Sequence, residues 1–263
     1  MAARAAATLV VSVDVDFPEL AWGEEFAQLE ATTLALLDRF NSHGIAATWG
    51  LTDISHPLAD EIVEHASHEL ALHVNASVVG SQQPRATYVR TMQHRLEQAR
   101  RMGHVPSTLH LAADCRVGHL DTLPKFGISA VRSAPISPVT SSLWRQLIQA
   151  GRRSPQEGQP HRLRWGVWEF TPELMLPGLT LGAAKRGLDR AIDAGRIVQM
   201  NVDVRALMAL GRTSTAIVDG VLKHAARRCA EGALATLAID QSVARLTRPM
   251  AARPAGSILR RAA

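Results

Sequence analysis

Short apolar runs alternate along the chain with longer stretches in which apolar residues recur every three or four positions. Residues 8–13 (TLVVSV) are the first such run, short and rich in β-branched side chains, and predict a buried strand. Residues 26–41 follow, with Phe26, Leu29, Leu34, Leu37 and Phe40 at helical spacing and a stop at His43-Gly44. The same rhythm predicts strand 45–49, helix 57–66, strand 69–72, helix 85–102, strand 108–111, a helix over 120–126 stopped by Gly127, and strand 129–132. Between residues 135 and 178 the rhythm breaks. That stretch is rich in Gly, Pro and Trp and predicts an excursion with a hairpin. Helix 183–194, strand 197–202, helix 214–228, strand 233–238 and helix 240–246 then restore the alternation. The whole pattern predicts α/β architecture, a parallel sheet curled into a distorted TIM-like (β/α)7 barrel with its chemistry at the C-terminal ends of the strands.

Composition narrows the classes. With 46% hydrophobic residues in 263, the chain can bury a large core, and one barrel domain is expected over residues 1–248. The formal charge of +5 invites a nucleic-acid reading, but Arg245, Arg248, Arg253, Arg260 and Arg261 all follow the last acid, Asp240. With those five set aside, acidic and basic residues balance. The excess therefore belongs to the end of the chain, where residues 249–263 are expected to be a flexible basic tail, and no nucleic-acid face is expected on the body. No apolar run approaches the roughly 20 residues of a membrane span. Cys115 and Cys229 are far apart and read as reduced thiols. The first apolar run passes directly into Asp14 and Asp16 with no cleavage signal, so a cytoplasmic protein is expected.

The candidate chemistry begins at Asp14-Val15-Asp16. Strand residues two apart face the same side, so the two carboxylates are expected together at a strand end, where repulsion raises one pKa or calls for a cation. His73 follows the strand 69–72 and is placed to meet them, whereas His65 and His68 flank a helix-to-strand turn at the opposite end and read as surface residues. Gly178 to Gly182 lacks the spacing and the Lys of a phosphate loop, and Ser133 and Ser137 have no placed triad partners. Trp165 and Trp168 alternate as in a hairpin; Trp168 could line a groove and stack on a sugar.

Ser12 to Asp16, then LALLDRFNSHGIAATW over residues 34–49, then HELALH over 68–73 and DTLPKFGI over 121–128, together resemble the polysaccharide deacetylase (NodB-homology) family. The resemblance runs in order through about 240 residues. It implies a metal-dependent hydrolase of C–N bonds that deacetylates an amino sugar or a related small N-acyl substrate. Asp14 then matches the catalytic base, Asp16 and His73 the ligands of a divalent cation, usually zinc, and Asp203 stands where the family has its late acid histidine. The substrate implied is a small molecule or an oligosaccharide. Departures are also visible. The second metal histidine of the family is Ser77 here, with Asn75 beside it, and the family's arginine block falls on His110 to Ala113. Arg116 could then reach in from the following loop, or Asp114 could supply a ligand. Two other readings stay open at this point: a barrel without catalysis that binds a glycan or a protein, and a metal-independent cyclic amide hydrolase resembling allantoinase.

Overall fold

A computed structural model describes residues 6–17, 23–80, 83–112, 115, 117–133 and 158–248. The expected basic tail, Asp114, Arg116 and most of the stretch after residue 133 lie outside the described residues. The elements run β1 (Ala7–Val15), α1 (Glu24–Ser42), β2 (Ala47–Leu51), α2 (Leu58–Val63), β3 (His68–Val74), α3 (Ala76–Val79), α4 (Arg85–Arg101), β4 (Thr108–Leu111), a 3-10 segment (Leu120–Phe126) and β5 (Ala130–Arg132). After the gap come β6 (His161–Arg162), β7 (Trp168–Phe170), β8 (Leu174–Leu176), α5 (Leu181–Ala194), β9 (Ile197–Asp203), α6 (Val204–Leu210), α7 (Arg212–Ala230), β10 (Leu234–Leu237) and α8 (Ile239–Thr247).

The strands form one curled sheet in the order β6-β7-β5-β4-β3-β2-β1-β9-β8, with β10 added beside β1. The pairings of the named strands are parallel except β6 with β7, which is the hairpin expected from the Gly-, Pro- and Trp-rich excursion; an isolated antiparallel bridge joins Gly80 and Val117. Strand β1 explains the curl. Its outward residues Leu9, Val11, Val13 and Val15 join the core shared with the helices, while Val10, Ser12 and Asp14 face inward. Its lower half pairs with β10 and its upper half with β2, so β10 enters as a wedge between them.

The inner floor is closed by α8. Val10, Ala130, Phe170 and Ile239 form a small interior cluster, with Trp168, Val243 and Leu246 against it. Trp168, half-buried, packs against this cluster. His68, expected on the surface, is buried under α1: its Nδ1 accepts from Ala47 N at 3.2 Å and its Nε2 donates to Asn41 Oδ1 at 2.9 Å. Burial holds its pKa down at about 4. A sheet covered by helices buries both faces, so alternation alone does not expose a residue.

Glu69 ties the floor together. It sits inside β3, accepts from the hydroxyls of Thr48 (2.9 Å) and Thr108 (2.5 Å), and caps α8 by accepting from Asp240 N at 3.0 Å. The Thr48 hydroxyl accepts in turn from Ile239 N at 2.8 Å. A helix start otherwise leaves such amides unpaired, so a carboxylate from another strand completes this one. Desolvation and the neighbouring Asp240 carboxylate raise the Glu69 pKa to about 7. A raised acid binds a proton in the folded state that the unfolded chain releases from about 4.5, so its contribution to stability is complete below 4.5 and is lost as the pH rises through about 7. The buried imidazoles of His68 and His110, both lowered to about 4, pull the other way. Urea unfolding of the wild type and Glu69→Gln from pH 4.5 to 8 therefore isolates this carboxyl: the stability difference between the two is expected to move against the wild type as the pH rises. A difference that does not change with pH would refute this assignment.

Candidate active site

The C-terminal end of the sheet is built from small and polar inward positions. In register, His73 of β3 stands beside His110 of β4, and His110 beside Arg132 of β5. Asp14 of β1 stands beside Gly50 of β2, and Gly50 beside Ala71 of β3. Because Gly50 and Ala71 fill little space, the His110 ring can reach across towards β1. A Cβ on Gly50 would lie 2.7 Å from His110 Cγ, which real atoms do not tolerate.

Side chains from three other strands, β4, β5 and β9, thus converge on Asp14. Its Oδ1 accepts from Arg132 Nη2 and from His110 Nδ1, the latter at 3.1 Å, and its Oδ2 accepts from Asn201 Nδ2 at 2.9 Å. His110 and Arg132 are fully buried, while the Asp14 side chain keeps 13% of its surface open. Burial on its own would raise the Asp14 pKa, but the Arg132 charge and the His110 hydrogen bond carry it far below the usual carboxylate range. Asp14 is therefore an anion at every physiological pH. Since a carboxylate only accepts, His110 must carry its proton on Nδ1, and burial holds that ring neutral, with a pKa of about 4.

His73 completes the group. It is 5% exposed, and neither of its ring nitrogens has a hydrogen-bond partner among the described residues; the same holds for His110 Nε2 and Arg132 Nε. Desolvation lowers the His73 pKa despite the opposing pull of Asp14, Asp16 and Asp203. The result is a neutral imidazole beside a fixed anion.

The remaining sequence candidates divide. Asp16 is at the rim, half exposed, with Arg205 Nη1 3.7 Å away. It does not share the buried position of Asp14, so the two carboxylates separate into an inner and an outer one. Asp203 ends β9 opposite Asp14 in register and accepts from Ala206 N at 3.0 Å, capping α6. Asn75 and Ser77 are exposed beyond the end of β3, where Asn75 Oδ1 accepts from Ser77 N and Oγ at 3.1 and 2.5 Å. Arg116 and Asp114 lie outside the described residues. The guanidinium on Asp14 comes from the next strand, from Arg132, which sequence reasoning missed together with Asn201, Ser12 and Gly50. An arginine closing the short apolar run SAVR was the available signal.

The resemblance implies a divalent cation, and a closed protein site for one needs three or four converging ligands. Among the described residues no three His, Cys, Asp or Glu side chains come close enough to hold a metal ion. Asp14 is committed to Arg132, His110 and Asn201, and Ser77 to Asn75. These residues do not form a ready metal site.

A curled parallel α/β half-barrel with a buried carboxylate at the C-terminal mouth places this chain in the fold class of the polysaccharide deacetylases. A Mycobacterium smegmatis protein classed as a polysaccharide deacetylase aligns with 93% of this chain and 91% of its own, with 14% identity and a TM-score of 0.63. The 4-alpha-glucanotransferase of Thermococcus litoralis matches 92% of this chain but only 41% of its own, at 10% identity and a TM-score of 0.65. A branching enzyme from Thermococcus kodakaraensis matches 94% of this chain and 72% of its own, at 9% identity and a TM-score of 0.58. At these identities the likeness is one of fold. No family model and no curated protein matches the chain. No helix among the described residues is long and apolar enough to cross a membrane.

Proposed function

We propose that the chain is a hydrolase of the deacetylase type, cleaving the amide of an N-acylated amino sugar, free or within an oligosaccharide. The observation that carries this reading is the neutral His73, unpartnered among the described residues, beside an Asp14 whose charge Arg132 holds fixed. An acceptor far below neutral pH is a weak base, so Asp14 serves as the permanent anion and His73 as the group that moves a proton. His73 takes a proton from a water as its oxygen attacks the acyl carbon, and Asp14 stabilises the resulting imidazolium. The C–N bond then breaks, and the imidazolium returns its proton to the departing amine, leaving acetate and a free amino sugar. Asp203, at the end of the strand beside Asp14, is a second group able to hold the leaving amine.

A zinc ion belongs to this reading only through His73 and Asp16, which fall short of a three-ligand set, so the steps above use the chain's own groups. Hydrolysis of N-acetyl amino sugars by purified protein tests the proposal. His73→Ala is expected to lower kcat/KM by about 10²–10⁴, the usual contribution of a proton-transfer group, and Asp14→Asn to lower it comparably. Undiminished rates in both variants would remove this cluster from the reaction.

A further inference from the structure

Asp14 has about four lone-pair positions, and the structure fills three: two on Oδ1, from Arg132 and His110, and one on Oδ2, from Asn201. Which end of the Asn201 amide faces Asp14 is therefore decisive. Its NH₂ end must, since two oxygens cannot share a hydrogen bond without a proton. That orientation leaves Asn201 Oδ1 needing a donor of its own, deep in the sheet. Ser12 supplies it, with Oγ 2.7 Å away. The two residues are direct partners in the β1–β9 register, and both are buried to within 1%. Ser12 also lies two residues before Asp14 on the same inward face, so a single strand carries both ends of the chain Ser12–Asn201–Asp14. Neither Ser12 nor Asn201 is ionisable or near solvent, and an apolar pair would fill the same space without leaving buried polar atoms to satisfy. The Ser12 hydroxyl also lies 3.3 Å from the Met200 carbonyl oxygen, but its shorter contact, to Asn201 Oδ1, aims the pair at the Asp14 carboxylate.

We infer that Ser12 and Asn201 are positioning residues: the Ser12 hydroxyl fixes the Asn201 amide, and the amide fixes the Asp14 carboxylate so that its one open lone pair is held for the imidazolium that forms on His73. This rests on the hydrolase reading for its effect on rate but not for its geometry. A carboxylate free to rotate presents the wrong lone pair part of the time, and a misplacement on the order of 1 Å is enough to slow a reaction by about 10²-fold.

Two measurements test it. With an N-acetyl amino sugar as substrate, Ser12→Ala is expected to lower kcat at least about tenfold with KM little changed, and Ser12→Thr, which keeps the hydroxyl, to restore most of the rate. The second reads geometry without turnover, by following aspartate side-chain carboxyl ¹³C shifts against pH, with Asp14 assigned by its loss in Asp14→Asn. Asn201→Asp sets a second carboxylate against Asp14, and one proton is then expected to be shared between them, giving a carboxyl that titrates above the ordinary aspartate range. Wild-type kcat in Ser12→Ala, or two carboxyls that both stay ionised down to pH 4 in Asn201→Asp, would overturn the inference. If the wild type itself hydrolyses no amide, the hydrolase reading fails and the titration alone decides the positioning.

Discussion

Arg132→Met is expected to lower the unfolding free energy by about 3–5 kcal/mol, among the largest single effects available to a substitution. The arginine is 1% exposed and pairs with an Asp14 that has few other sources of charge compensation. Deleting it strands a buried anion, because His110 and Asn201 donate hydrogen bonds but no charge. The carboxyl then takes up a proton far more readily. The second part of the expectation follows: Asp14→Asn combined with Arg132→Met should be less destabilised than Arg132→Met alone, since no unpaired anion remains. Urea denaturation at pH 7 of the two single variants and the double variant measures the coupling directly. Effects that simply add would show that the pair does not interact as described.

Gly50→Ala is the second large effect. The glycine is not needed here for a turn; it is needed because the His110 ring occupies the place of its Cβ. One added methyl must push the ring away from Asp14 or push β2 away from β3. Overpacking of this kind typically destabilises by about 1–3 kcal/mol, and the lost hydrogen bond to Asp14 adds to that. Hydrolytic rate should fall as well, by about 10²-fold, since the anion beside His73 loses one of its three donors and shifts. In Gly50→Ala/His110→Ala the clash is gone, so the second substitution should cost less in this background than it does in the wild type. If Gly50→Ala alone unfolds at the wild-type urea midpoint, the ring does not sit where the structure places it.

Much of the architecture was legible because helices cover the strands and leave uninterrupted apolar runs such as TLVVSV, while the covering helices keep a 3.6-residue period. The features that were not legible are the short ones. Strands β6, β7 and β8 span two or three residues each, too few to carry a period, and α6 begins directly after β9 with no intervening turn signal. The candidate site divides in the same way. Asp14 and His73 could be placed because each stands at the end of its own strand. Arg132 and Asn201 could not, because their meeting with Asp14 depends on the register and shear of strands far apart in the chain. The parity argument that paired Asp14 with Asp16 carried no depth: β1 ends at Val15, and Asp16, just beyond it, is half exposed where Asp14 is enclosed.

The wedge of β10 against β1 has a bearing on how the molecule is made. The lower half of the first strand has the last strand as its neighbour, and the floor helix that Glu69 caps is later still. During synthesis, β1 precedes β10 by nearly all the described residues, and the lower half of that edge stays unmatched until β10 follows. Pairings between such distant segments are slow to form. The half-barrel therefore cannot be completed progressively behind the ribosome, and a polypeptide halted before β10 would leave the Ala7 to Val10 edge unpaired, open to chaperones or to its neighbours.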